Sequence, residues 1–348
     1  MNRLSSLDYL RGLAAFGIMA FHYSMWTYGF AKGGDFIGKI GIYAVPVFYV
    51  ISGLTLYHVY FNKIGGPSKK GLVDFAIKRI FRIFPLFWLM SIATLLIEKI
   101  TMPLSTILWA LSGLFSVYHW ENHICYGGWS IGNELVFYLF FPVFIFLSKR
   151  SKLSFFIFSL LILLAYLWFA FIRFDSSKSI VDFWLEYMNP LNQVFLFLGG
   201  YLIGYLFSGM HIAKATGIAI AVTSFLVFIV YPVKDDSIYL ITGINRMAFT
   251  LIVFALCFAF YKTEFGLPSL LHRIFGTLGE ISYSVYLVHP IIWYVLTHLL
   301  PHSFSALPPL ARVLIAISAS LLTSYLVYDF YEKYFMRLGA KLSKKVAT

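Results

Sequence analysis

Arg11 and His22 lie in one apolar run, LDYLRGLAAFGIMAFHYS, eleven residues apart. On a helix that spacing returns to within about 20° of the same face and separates the two residues by about 16 Å along the axis. Histidine titrates near neutral pH and can take a proton from a hydroxyl. Arginine is a fixed charge whose planar fork suits phosphate. The plainer alternatives are a snorkelling anchor for Arg11 and a packed core histidine for His22. Arg79 and Arg82 stand three residues apart, hence on one helix face, just before Pro85. Phosphate recognition and lipid-headgroup contact are both open to them. Glu134 follows Trp129 and Ser130 in GGWSIGNELVFYLFFP, about one turn into an apolar helix. A helix start favours an acid through its dipole, but the cost of burying a carboxylate points to a paired or catalytic role. His289 precedes Pro290 in GEISYSVYLVHPIIW, where a proline interrupts the backbone ladder and can turn a carbonyl toward a cavity. Tyr283 and Tyr286 in the same run are equally readable as ordinary packing.

The elements that must position these residues are membrane helices. Of 348 residues, 60% are hydrophobic, 20% aromatic and only 12% charged, against about 25% charged in soluble domains. Runs long enough to cross a bilayer fall at 7–30, 40–61, 80–98, 129–147, 153–172, 191–208, 214–232, 243–261, 277–298 and 309–330. The expected fold is therefore an all-α integral membrane protein with about ten transmembrane helices. The stretch 103–119 is short and Ser-interrupted, and is expected to be interfacial or re-entrant. With the N-terminus inside, 19 of the 27 Lys and Arg residues fall on the inner side, Arg3 among them, and eight outside. That bias obeys the positive-inside rule and places both termini in the cytoplasm. The expected domain layout is a membrane domain over 1–335 and a short basic cytoplasmic tail over 336–348. The first run has no small-residue cleavage site and reads as a retained helix.

A net charge of +12 would suggest nucleic acid in a soluble chain. Here the basic residues cluster in short connections, and no nucleic-acid partner is expected. Cys125 and Cys257 make neither a disulfide framework nor a zinc site, and no metal is expected. Phosphate-loop, GxSxG and HExxH signatures are absent. A transporter is the rival class, since charged residues within spans also mark substrate pathways. No pair of similarly interrupted helices suggests inverted repeats.

Five segments in order resemble acyltransferase family 3, the membrane O-acyltransferases. They are Arg11 with His22, the segment Phe48–Gly53 in VPVFYVISGLTLY, and Arg79, Arg82 and Pro85 in RIFRIFP. Trp129, Ser130, Glu134, Phe137 and Tyr138 in WSIGNELVFY follow, then Gly279, Ser282, Tyr283, Tyr286 and His289 in GEISYSVYLVHP. Ile131 replaces the family's leucine, and Lys78 stands where many members carry arginine. The resemblance implies transfer of an acyl group, usually acetyl, from cytoplasmic acetyl-CoA or another acyl-CoA. The acceptor would be a hydroxyl of a cell-surface glycan or lipid-linked sugar, and the location a bacterial inner membrane. Some members carry a C-terminal extracytoplasmic hydrolase-like domain; this chain is expected to act alone or with a separate partner. In this reading Arg11, Arg79 and Arg82 bind the donor's phosphates, and His22 is the general base. Glu134 or His289 orients the acceptor or His22, and Trp129, Ser130, Tyr283 and Tyr286 support the site. Direct transfer and an acyl-histidine route both remain open, as does homo-oligomerisation.

Overall fold

The structure is a computed structural model that describes residues 4–29, 31–64 and 69–347. Arg3 of the charge tally lies outside the described residues. In chain order the helices are α1 (Ser5–Tyr28), α2 (Phe36–Tyr60), α3 (Lys70–Ile97), α4 (Leu104–Ser112), α5 (Gly128–Arg150), α6 (Lys152–Trp168), α7 (Trp184–Met188) and α8 (Pro190–Phe207). They continue with α9 (Lys214–Val230), α10 (Ile238–Ile241), α11 (Gly243–Lys262), α12 (Ser269–Glu280), α13 (Ser282–Tyr294), α14 (Pro301–Ser305), α15 (Pro309–Val327) and α16 (Lys333–Ala347). Among the described residues there is no β-strand. Among the described residues seven helices are long and apolar enough to cross a membrane: Phe36–Tyr60, Lys70–Ile97, Gly128–Arg150, Lys152–Arg173, Pro190–Phe207, Gly243–Lys262 and Pro309–Val346. Along them Leu139, Phe146, Leu153, Phe156, Ile172, Leu251 and Leu322 are each more than half exposed. Lipid tails are the solvent that makes such faces stable.

The chain packs as two compact units. One comprises Met1–Phe21, Gly29–Val59 and Lys152–Ser282. Its helices approach closely because small residues let them. A Cβ on Gly53 of α2 would fall on the Phe197 carbonyl of α8, and one on Gly200 of α8 would fall on the Val50 carbonyl. Without a hydrophobic drive between helices in lipid, such backbone approach is what holds them. Likewise a Cβ on Gly12 would lie 2.7 Å from the Gly279 nitrogen, so α1 and α12 touch through two glycines. The start of α8 is fixed locally: the Asn189 side chain accepts from the Leu191 N–H at 2.9 Å, and Pro190 takes the first helical position.

The other unit comprises His22–Tyr28, Tyr60–Ser151 and Tyr283–Thr348. Its frame is α3, whose 28 residues extend about 42 Å, with α16 packed along it. The Ser343 hydroxyl donates to Asp74, and Gly339 faces the Phe81 side chain too closely to admit a Cβ. A π-helical turn over Tyr328–Glu332 joins α15 to α16, so 309–346 runs as one helix. Residues 336–347 of the basic tail lie in α16. The stretch 103–119 holds α4, nine residues or about 14 Å, which is too short to cross a bilayer core. It ends at Gly113 with φ +77°, a left-handed cap that glycine adopts without strain.

Two expected boundaries differ. The third run begins at Lys70 rather than 80, because LVDFAIKRIF continues the helix toward its basic end. The ninth run, 277–298, is not one helix. α12 stops at Glu280 and α13 starts at Ser282. The Ser282 hydroxyl donates to the Gly279 carbonyl at 2.8 Å, a side-chain bond that competes with the helix ladder.

Candidate active site

All but one of the candidate residues lie in the second unit, on α1, α3, α5 and α13. The exception is Arg11, which belongs to the first unit and there pairs with Asp8 at 3.0 Å.

The two histidines meet. His22 Nδ1 lies 2.8 Å from His289 Nε2, with the rings stacked at 5.1 Å between centroids. Trp26 stacks on His22 at 5.1 Å. His289 Nδ1 lies 2.8 Å from the Val285 carbonyl. A carbonyl only accepts, so Nδ1 of His289 carries the proton. For two neutral rings the rest follows. His289 Nε2 is the acceptor, His22 Nδ1–H donates to it, and the basic lone pair of His22 resides on Nε2. Pro290 contributes twice. It lacks an N–H, so the Tyr286 carbonyl one turn back loses its ladder partner, and that carbonyl also faces His289 Nδ1. The same strand of backbone is held from outside: Tyr23 donates to the His289 carbonyl at 2.8 Å, and Ser320 donates to the Tyr23 oxygen at 2.5 Å. Tyr23, Ser320 and His289 are all buried.

Of the two arginines, one meets tyrosines and the other an acid. Arg79 sits beside the Tyr138 ring and hydrogen-bonds Tyr138 and Tyr60. Tyr138 donates to Glu134 at 2.5 Å. Arg82 pairs with Glu332 and lies over the Tyr283 ring, 5.4 Å from its centroid. Glu332 is buried and accepts a second bond from Ser284 at 2.7 Å. Tyr283 donates to the Ile83 carbonyl at 2.9 Å.

Between the two groups stands Ser130, whose hydroxyl lies 2.7 Å from the Tyr286 hydroxyl and 2.9 Å from the Gly127 carbonyl. Gly127 has φ +73°, and a Cβ there would lie 2.8 Å from Tyr286. Trp129 is buried beside it. Ser130, Glu134 and Tyr138 recur every four residues down one face of α5, covering about 12 Å. On α13, Tyr283, Tyr286 and His289 recur every three and cover about 9 Å. Polar side chains thus recur along both helices between the arginines and the histidine pair. Among the described residues no group of three or more His, Cys, Asp or Glu is placed to hold a metal. Cys125, in the loop before α5, is a free, buried thiol pushed up to about 11 by burial, so it is protonated at neutral pH and a poor nucleophile.

The family model for the acyltransferase domain matches residues 4–329. The chain belongs to acyltransferase family 3. It is 24% identical to O-acetyltransferase OatA of Staphylococcus aureus strains NCTC 8325 and COL, over 97% of this chain and 58% of each relative. The chain thus spans well under two thirds of the length of these curated relatives. No solved structure matches it. The five segments that resemble this acyltransferase family divide by role. Phe48–Gly53 makes the close α2–α8 contact in the first unit, whereas the segments around Arg79, Glu134 and Tyr286 line the polar run in the second. Glu332, in the turn that joins α15 to α16, pairs with Arg82. Sequence reasoning missed Tyr23 and Ser320, because a tyrosine and a serine within apolar helices carry no signal by type or spacing.

Proposed function

We propose that this family member is a membrane O-acyltransferase, moving an acetyl group from acetyl-CoA to a hydroxyl of a cell-surface glycan or lipid-linked sugar. The observation that carries the reading is the pair His22 Nδ1 to His289 Nε2 and His289 Nδ1 to Val285 O, each 2.8 Å, which sets a base where the polar run ends. Support for the chain's setting comes from its seven apolar helices and its charge bias. Ten spans, both termini in the cytoplasm, and a bacterial inner membrane complete the proposal.

His22 Nε2 takes the proton of the acceptor hydroxyl as its oxygen attacks the thioester carbon. The carbon–sulfur bond breaks, and His22 returns the proton to the leaving thiolate. His289 accepts from His22 Nδ1–H throughout, and so holds the ring in the productive tautomer and steadies the imidazolium. Arg79 and Arg82 bind the donor's phosphates through their planar guanidinium forks. Tyr138, itself held by Glu134, and Glu332 fix those forks in place before the donor arrives. The distance fits a thin pantetheine arm: about 12 Å down α5 and a further turn of α13 to His289.

The test is transfer of label from radiolabelled acetyl-CoA to crude surface glycan by purified protein. Wild type should transfer. His22→Ala should bind donor and not transfer, a loss of about 10²–10⁴-fold. Arg79→Ala with Arg82→Ala should weaken donor binding. Wild type that neither binds nor turns over acyl-CoA sinks the donor assignment and leaves a transporter as the better reading.

A further inference from the structure

The first unit holds a buried charged residue of its own. Arg246, near the start of α11, is only 5% exposed. Its Nη2 donates to the Asn192 carbonyl at 2.9 Å and to Asn192 Oδ1 at 2.6 Å. Its guanidinium lies over the Tyr166 ring at 4.2 Å and the Phe174 ring at 5.5 Å. No carboxylate pairs with it among the described residues. Three acids of the same unit are engaged elsewhere: Glu186 with Arg173, Asp235 with Lys32, Asp236 with the Ile238 N–H. Nη1 is buried and has no hydrogen-bond partner.

An uncompensated charge in a low-dielectric interior is costly, and ring faces offset only part of that cost. The guanidinium borders a small void lined by Tyr43, Tyr166, Tyr187, Gln193 and Thr250 together with apolar side chains. The void measures about 10 Å³, close to what one water-sized sphere needs. The surrounding phenols are already committed as donors: Tyr43 to the Leu240 carbonyl at 2.6 Å, Tyr187 to the Ile42 carbonyl at 3.2 Å. A cavity with a fixed positive charge, no acid and room for one compact species selects a small monovalent anion.

We propose that this cavity binds a single halide-sized anion, chloride in ordinary media, on Arg246 Nη1. The anion neutralises the buried guanidinium and ties the starts of α8 and α11 together through Asn192. It is independent of the acyl-transfer reading, which concerns the other unit.

The experiment is equilibrium binding of ³⁶Cl⁻ to the purified full chain in gluconate buffer, with thermal unfolding at constant ionic strength. One saturable site is expected, displaced by bromide and not by gluconate. The melting temperature should rise with chloride and level off, since a ligand of the native state stabilises by mass action. Arg246→Gln should weaken uptake by about tenfold or more and remove the chloride dependence. If that variant does not fold, Gln193→Glu, which puts a negative charge in the cavity wall, must abolish uptake. No saturable uptake by wild type, or uptake that survives either variant, overturns the proposal.

Discussion

At the scale of single residues, the histidine pair makes the sharpest claims. His289→Ala leaves His22 without the group that fixes its tautomer. Transfer should fall about tenfold or more, the worth of one hydrogen bond of about 1.4 kcal/mol in the transition state. The apparent donor affinity should stay near wild type, which separates an effect on chemistry from one on binding, and steady-state kinetics in acetyl-CoA read both. His289→Gln, whose amide oxygen can accept from His22, should recover part of the loss. Glu332→Gln acts differently. It leaves Arg82 without its carboxylate, so the expected outcome is a raised KM for the donor with a lower melting temperature. The stability loss should stay within the 3–5 kcal/mol or so of a broken buried pair. A KM unchanged by this variant would show that Arg82 serves structure alone.

Helices and turns carry a second set of consequences. Gly127 holds the positive φ that starts α5 and leaves room for Tyr286. Gly127→Ala adds backbone strain of about 1–2 kcal/mol and pushes on the Tyr286–Ser130 contact. Activity should therefore fall further than the melting temperature predicts, as paired unfolding and transfer assays would show. It is also at this scale that the sequence was most and least informative. Apolar run length located nearly every long helix, and three- and four-residue spacings put Arg79 with Arg82 on one face. The break at Ile281 was not legible, because a serine hydroxyl replacing a ladder bond leaves the hydropathy of 277–298 unchanged. Nor was the contact of His22 with His289, which joins residues 267 apart. Each could be nominated by the cost of its setting, but no periodicity links two helices so far apart in the chain.

Over the whole molecule, the reasoning from solvent holds: few charges, apolar exposed faces and helices fastened by small residues. Gly53 and Gly200 sit where α2 and α8 touch through their backbones. Gly53→Val should separate these helices and lower the detergent-solubilised melting temperature by several degrees or prevent folding. The same change at Gly209, where a Cβ meets nothing within 4 Å, should leave the melting temperature within experimental error.

Pro290 has one further consequence, for how the protein is dissected. The group that fixes the proton on His289 is a stretch of main chain, the Val285 carbonyl with the Tyr286 carbonyl beside it. No codon change deletes a carbonyl. An alanine scan of this helix would report two members of a three-member chain and leave the third silent, scoring Val285 as a mere packing residue. The one conventional substitution that reaches it is Pro290→Ala, which restores an amide able to claim the Tyr286 oxygen; a deficit there with His289 intact would be the main chain's own signature.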